Sequence, residues 1–484
     1  MFPLVYLLNK LGFDRRETGF FRKNPVSFPE FLRRYPLVIE QKVYSDVVTR
    51  MRRIVRRGLT HLRTHVALAQ FIGVVVCIPP LLFPTHVPLW AIPGSLVGLV
   101  LLLVAGRWLA GRPVVRTPLD TPILLLLLLL PVTILVTPDR ALTLPHVYKV
   151  VGSAALFYGV VGVLEEKPWF GLSALTINMV GVVLAVITLF GTNWPAAKIL
   201  RLPFDLYRVF PHLVRVFWNP RGFSSNITGG TLAMLLPVSV AYLLFGRGLL
   251  VRLGALLEVG IVGSIILLTQ SRGAIVALAA GIAAMLVAHN RRWLIAALAL
   301  AIVGVLALQF AGVDSLLTSG WDTAAVSAVH SAQARLELWS RGLMMLQDFP
   351  FTGIGFGMVV EVMPVLYPTF MTSNDAGAEH VHNLYLEAGV DLGFPGLIAT
   401  LAFLLGLFYL SWRAAQRAGG TELEPLALGM LGTVVVFAAH GLTDNFTFYS
   451  KAHFIAWALF GVAVAVWLRL VRDDGLSVTD VAPG

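Results

Sequence analysis

Charged residues and cysteine are both scarce in this sequence. Asp, Glu, Lys and Arg make up only 13% of the 484 residues, about half the share that is usual in soluble globular domains. The one cysteine, Cys77, excludes an intrachain disulfide and a cysteine-based metal site. With 57% hydrophobic residues and a mean hydropathy of +0.80, the composition excludes a water-soluble enzyme and indicates a polytopic membrane protein.

Positive charge is concentrated at the amino-terminal end. Residues 1–65 contain 14 Lys and Arg against 5 Asp and Glu, which is a net charge of +9 out of +11 for the whole chain. Because basic residues beside a span favour the cytoplasmic side and attract anionic lipids, we expect membrane lipids as partners here, and no nucleic acid. Residues 44–64 mix Arg with Val, Ile and Leu at helical spacing, which is typical of an amphipathic helix on the membrane surface; a solvated tail is the alternative.

Twelve apolar segments are long enough, or nearly so, to cross a membrane. They are residues 66–84, 88–106, 119–136, 146–164, 170–191, 227–245, 253–269, 273–289, 293–311, 393–412, 425–443 and 452–469. An even number places both termini on one side, and the basic N-terminal residues put that side in the cytoplasm. The sequence therefore predicts an all-α polytopic membrane protein with about twelve transmembrane helices.

Two of the predicted outer links are long, residues 192–226 and 312–392, and the second of these reads as a large, partly helical loop. Long loops on one face of a protein often carry its function. The predicted organisation is a basic cytoplasmic segment, nine transmembrane helices, the external loop, three further helices and a cytoplasmic tail. Their limits are 1–65, 66–311, 312–392, 393–470 and 471–484.

Three arginines lie on the predicted outer side, where the positive-inside rule disfavours them. Arg221 precedes the sixth span, Arg272 begins the eighth, and Arg335 lies in the large loop. A guanidinium group matches phosphate oxygens two at a time, so these residues are candidates for binding an anionic substrate. The alternative interpretation is ordinary snorkelling or a structural ion pair.

His382 is the candidate proton acceptor. It begins the segment HNLYLEAGVDLGFPG, and on a helix it would share one face with Tyr385, Leu386, Gly389, Gly393 and Gly396. The glycines of that face would let another helix approach closely, and a histidine can accept a proton near neutral pH. A capping or packing role is the alternative, and His380 is a weaker candidate because it points elsewhere on a helix.

Four further polar residues are candidates for contacts with the substrate. His440 and Asp444 lie at the outer end of the eleventh span, where they would line a site or orient an arginine. Tyr148 and Lys149 lie near the outer end of the fourth span, where they would touch a sugar or a phosphate.

Ordered landmarks between about residues 200 and 470 resemble the bacterial O-antigen ligase and polymerase superfamily. His382-Asn383, nine residues and then Gly393-Phe394-Pro395-Gly396 fit the motif that ends the family's large periplasmic loop. Three further segments are similar to landmarks of the family. The family's Ser-Arg-Gly span start is matched by SRGAIVALAAG, and its loop helix with the Pro/Gly turn that follows is matched by RLELWSRGLMMLQDFPFTGIGFG. The entry to an earlier span is matched by RGFSSNITGG. The twelve-span count also agrees with the family's ligases.

The resemblance implies a glycosyltransferase of GT-C-like architecture in the bacterial inner (plasma) membrane, with its active face periplasmic. The donor would be an undecaprenyl-pyrophosphate-linked glycan, and the acceptor a hydroxyl of a glycolipid for a ligase or of a second glycan for a polymerase. The family implies no nucleotide sugar, no metal and no other cofactor. A polysaccharide-lipid transporter is a third reading, disfavoured because the sequence has no paired halves.

Glycosyl transfer from a lipid pyrophosphate needs positive charge at the leaving group and a base at the acceptor hydroxyl. We assign the first role to Arg272 and Arg335, with Arg221 as a third candidate, and the second role to His382. Asn383 and His380 are counted with the substrate contacts. Single displacement with one base would invert the anomeric centre. A metal site at Asp375 and Glu379, carboxylates spaced i, i+4 beside His380, is the alternative to a metal-independent mechanism.

Overall fold

The computed structural model describes residues 65–81, 87–88, 90–110, 115–194, 222–295, 322–370, 380–445 and 452–474. Within these ranges no strand occurs, and the one strand-like pairing is a bridge between Thr192 and Phe223. The predicted amphipathic helix 44–64, most of the ninth span 293–311, Arg221 and the carboxylates Asp375 and Glu379 lie outside the described residues.

We number the helices of the described ranges from α1 to α13. They are α1 His65–Leu81, α2 Ala91–Ala110, α3 Asp120–Val136, α4 Arg140–Glu166, α5 Phe170–Leu189, α6 Ser225–Phe245, α7 Leu249–Thr269, α8 Arg272–His289, α9 Asp322–Asp348, α10 Val359–Leu366, α11 Leu384–Arg417, α12 Glu424–His440 and α13 Ala452–Asp473.

Seven of these helices are long and apolar enough to cross a membrane, judged by length and composition: α4 to α8, α11 and α13. The helices α1, α2, α3 and α12 are apolar but shorter. The prediction of an all-α polytopic membrane protein is confirmed. The count of twelve spans, the domain limits and the sidedness stay predictions.

The centre of the bundle is formed by α6, α12 and α13, which are buried along most of their lengths. The backbones of helices α6 and α12 pack in close contact at two glycines of α12. A Cβ atom on Gly432 would come within 2.7 Å of Pro237, and one on Gly429 within 2.7 Å of the Val238 Cα. The Thr433 hydroxyl donates to the carbonyl of Met234 over 2.9 Å. This close packing fixes the end of α12, where His440 lies.

The start of α11 differs from the sequence prediction. The helix begins at Leu384, and His382 has a positive φ of 53°. The prediction that His382 shares a helix face with Tyr385 and the glycines is therefore wrong. The physical reason is the cap: the side chain of Asn383 accepts hydrogen bonds from the backbone of Tyr385 and Leu386, each over 3.0 Å, which starts the helix at Leu384, two residues after His382.

A kink at Gly393 divides α11, with φ 71° and ψ −172°. Only glycine fits this position comfortably, because a Cβ atom there would lie 2.6 Å from the carbonyl oxygen of Pro350. The amide of Phe394 donates to the same carbonyl over 2.7 Å. The predicted tenth span, residues 393–412, thus begins at the kink, and residues 384–392 form a separate helical segment before it.

The large loop is partly helical, as predicted, with α9 and α10 joined by the turn of residues 349–358. This turn packs on the ends of the bundle helices: the amide of Ile354 donates to Val390 over 2.8 Å, and that of Phe356 to the hydroxyl of Thr133 over 2.8 Å. Helix α9 packs along α11. We call this end of the bundle the loop end.

Candidate functional site

A histidine and a carboxylate pair at the loop end of the bundle. Nδ1 of His382 lies 3.0 Å from Oδ1 of Asp444, so the imidazole donates its Nδ1 proton to the carboxylate. The Asp444 side chain is only 4% exposed, whereas that of His382 is 35% exposed. The pair therefore has a buried acceptor and an accessible ring.

The pair is held by the ends of two helices. Asp444 lies in the turn after α12, where its amide donates to the carbonyl of His440 over 3.1 Å. His382 precedes α11, and the amide of Leu384 donates to Gly441 over 2.8 Å. The Asn383 side chain donates to Leu442 over 3.1 Å. The two segments are thus joined by backbone and side-chain bonds on both sides of the imidazole.

A second imidazole lies against the first. The rings of His380 and His382 are 4.1 Å apart between centroids and nearly perpendicular, at 76°. The backbone amide of His382 donates to Nδ1 of His380 over 3.2 Å, which leaves the His380 proton on Nε2. Burial, and secondly the neighbouring His382, lower the pKa of His380 to about 4, so this ring is neutral at neutral pH.

The Asp444 carboxyl is surrounded by imidazoles. Burial alone would raise its pKa, but the hydrogen bond from His382 and the charges of His382, His380 and His440 together hold the pKa of this carboxyl well below its usual range. Its Oδ1 also accepts the amide of Asn445 over 2.9 Å. Asp444 is therefore a stable anion that orients His382.

The same region contains two guanidinium groups. Arg335, on α9, interacts electrostatically with Arg272 at the start of α8 and with the buried His440 at the end of α12. Arg272 is exposed and Arg335 is half-buried. Like charges held together repel each other, so an anion bound between them would relieve that repulsion.

The turn between α7 and α8 fixes Arg272. Gln270 adopts the left-handed conformation with φ 50°, and the Ser271 hydroxyl accepts the amide of Ala274 over 3.4 Å as an N-cap. The link is thus two residues long. A Cβ atom on Gly273 would lie 2.5 Å from the hydroxyl of Thr443, so the start of α8 packs directly on the turn that carries Asp444.

The structure thus brings together six residues that are candidates from the sequence, with Asn383 beside them. We call these six residues the loop-end cluster: Arg272, Arg335, His380, His382, His440 and Asp444. The side chain that Asp444 orients is His382 and not an arginine, the second of the two expected roles; that Asp444 lines a substrate site stays a prediction. The pairing spans 62 residues of sequence, and no local spacing signals it.

Tyr148 and Lys149 belong to a different part of the molecule. Tyr148 packs in a hydrophobic cluster with Val74, Ile78 and Phe454. Lys149 interacts electrostatically with His453 at the start of α13. Their predicted contact with the substrate gains no support from their neighbours. Arg221 lies outside the described residues.

Glu387, which is not among the residues predicted from the sequence, is fully buried in the first turn of α11. Its Oε2 accepts the backbone amide of Val381 over 2.6 Å. It therefore holds the chain between His380 and His382. Acidic residues are favourable in the first turn of any helix. Glu387, five residues after His382, therefore gave no sequence signal for this role.

Three groups of the cluster could together hold a metal ion. The ligand atoms of His380, His382 and Asp444 all lie within 4.8 Å of one another. Imidazole nitrogens and a carboxylate oxygen are ligands that transition metals accept.

Two comparisons with known proteins bear on this chain. A sequence model for the O-antigen ligase family matches residues 257–401. This match confirms the predicted resemblance to the O-antigen ligase superfamily. An O-antigen ligase of Pseudomonas aeruginosa is 24% identical over 278 residues, which make up 57% of this chain and 61% of that protein. The matched region therefore spans somewhat less than two thirds of the relative. The family match includes Arg272, Arg335, His380 and His382, and it ends before α12.

Proposed function

We propose that this protein is a glycosyltransferase that moves a glycan from an undecaprenyl-pyrophosphate carrier to a hydroxyl of a glycolipid acceptor, as an O-antigen ligase does. The observation that carries the proposal is the loop-end cluster, in which Arg335 interacts with Arg272 and with His440, and His440 in turn interacts with the Asp444 that orients the accessible His382 imidazole. The match to the O-antigen ligase family over residues 257–401 supports it.

Arg272 and Arg335 bind the pyrophosphate of the donor in this proposal. As the anomeric C–O bond breaks, its electron pair moves to the phosphate oxygen, and negative charge grows on the leaving group. Fixed guanidinium groups stabilise that charge without rearranging, and arginine stays protonated throughout. The charge balance therefore needs no metal ion.

His382 is the proposed general base. Because Asp444 accepts the Nδ1 proton, the lone pair of the ring is on Nε2, where it can take the proton of the acceptor hydroxyl. The acceptor oxygen then forms the new glycosidic bond as the bond to the carrier breaks. One displacement of this kind inverts the anomeric centre.

The remaining members of the cluster act through their neighbours. His380 accepts the backbone amide of His382, Asn383 caps α11 and joins it to Leu442, and His440 interacts electrostatically with both Asp444 and Arg335. We assign these three to positioning. Under the proposal the loop end faces the periplasm, the protein spans the inner membrane, and both termini are cytoplasmic.

The test is glycan transfer by the purified protein in lipid vesicles, with a lipid-linked donor and a glycolipid acceptor. His382→Ala should lower the rate by about 10²–10⁴, the usual contribution of general-base catalysis. His289→Ala is the matched control, because His289 forms an exposed ion pair with Glu424 away from the loop end. Transfer by His382→Ala at the rate of the control would contradict the assignment.

The same assay separates the ligase from the polymerase reading. With the donor alone, a ligase gives no product, whereas a polymerase joins donor units into longer lipid-linked chains. Longer chains formed without the glycolipid would overturn the proposed acceptor while leaving the proposed chemistry intact.

A further inference from the structure

The loop-end cluster contains three side chains with the identities of a transition-metal site. His380, His382 and Asp444 each offer one ligand atom, and these atoms all lie within 4.8 Å of one another. Two of them, Nδ1 of His382 and Oδ1 of Asp444, are already 3.0 Å apart. Two ligand atoms that bind one zinc ion at about 2.0–2.2 Å lie only a little farther from each other than the 3.0 Å between these two atoms. Small side-chain rotations would therefore let all three residues bind one ion.

We propose that His380, His382 and Asp444 bind a divalent transition-metal ion such as Zn²⁺, and that an ion held there inhibits the protein. The binding stands on the geometry of the three residues alone, whereas the inhibition rests on the proposed function. Two histidines and one carboxylate leave at least one coordination position open, as in zinc sites with three protein ligands. The partial exposure of His382 gives an ion a path to the site.

The inhibition follows from the two nitrogens of His382. An ion bound at Nε2 occupies the lone pair that would accept the hydroxyl proton. An ion bound at Nδ1 displaces the proton that Asp444 now accepts, and the neutral ring then carries its proton on Nε2. In either arrangement the imidazole cannot act as the base, so metal binding and proton transfer exclude each other.

The ligand atoms of the three residues favour a metal ion that binds nitrogen well. Asp444 is the one anionic ligand of the three, and Arg335 interacts with the neighbouring His440. A hard cation that prefers oxygen, such as Mg²⁺ or Ca²⁺, would find only one oxygen ligand among the three. Zn²⁺, Ni²⁺ or Co²⁺ binds imidazole well, so the site should discriminate between these two classes of ion.

Binding can be measured on the full-length protein in detergent, with Zn²⁺ itself as the probe in competition with a fluorescent chelator. The wild-type protein and the His289→Ala control should bind one ion more tightly than His380→Ala and Asp444→Ala do. Loss of a ligand should weaken binding by more than the about 10–100-fold that loss of a supporting hydrogen bond costs. Equal affinity in wild type and His380→Ala would overturn the site, even if Zn²⁺ binds elsewhere.

A second arm tests the inhibition. Zn²⁺ at saturating concentration should stop glycan transfer by the wild-type protein, chelation should restore it, and equal Mg²⁺ should leave it unchanged. Zn²⁺ that binds at these residues without slowing transfer would overturn the inhibition and, with it, the role of His382 as base. Absence of binding together with a strong effect of His382→Ala on transfer would overturn the metal site and leave the proposed function standing.

Discussion

Asp444→Asn tests whether the carboxylate and His382 act as one unit. The replacement keeps the shape of the side chain in a site where Asp444 is 4% exposed. The asparagine carbonyl oxygen can still accept from Nδ1 of His382 and from the amide of Asn445, but it carries no negative charge to stabilise the imidazolium that forms when the ring takes the acceptor proton. The base is then weakened although its ring and its tautomer stay in place. We expect a fall in the transfer rate of about 10²–10⁴, which is about 3–5 kcal/mol in the barrier.

The decisive measurement is a double-mutant cycle on the transfer rate. Residues that act as a unit are not additive, so His382→Ala with Asp444→Asn should be no slower than His382→Ala alone. Thermal unfolding of each purified variant checks that the fold is retained. An Asp444→Asn variant within about threefold of wild type, a difference under 1 kcal/mol, would refute the reasoning, as would rate losses that multiply.

Three further predictions concern the anion site, the stereochemistry and the packing. Arg335→Ala should lower the transfer rate by about 10²–10³, and Arg335→Lys should lower it by less. Arg341→Ala removes an ion pair with Glu337 on the same helix and should have little effect on the rate. Equal losses in the two alanine variants would contradict the role of Arg335. NMR of the product should show an inverted anomeric configuration, and retention would exclude single displacement. Gly432→Ala should lower the stability by about 1–3 kcal/mol because its Cβ would meet Pro237 and Met285, whereas Gly254→Ala meets open space and should not; matching melting temperatures would contradict the packing argument.

Much of the fold follows from patterns that the sequence carries locally. Apolar runs gave the helices, because the length of a span is set by the bilayer. The arginines Arg272 and Arg335 stood out because they break the charge asymmetry of membrane proteins, and the structure brings these two together although they lie 63 residues apart.

Other features depend on contacts that no local pattern encodes. The pairing of His382 with Asp444 arises where the start of α11 meets the end of α12. The positive φ of His382 follows from the Asn383 cap and from the bonds of Glu387 and His380 to the preceding backbone. A periodicity argument extends a helix until a breaker occurs, and it therefore placed His382 inside α11 instead of before it.

The most direct test of the proposed function is a structure of the protein with an undecaprenyl-pyrophosphate-linked glycan bound. We expect the pyrophosphate oxygens to lie within hydrogen-bonding distance of Arg272 and Arg335, with the anomeric carbon on the side of the headgroup that faces Nε2 of His382. A headgroup bound at another surface, with these three side chains making no contact to it, would contradict the proposal.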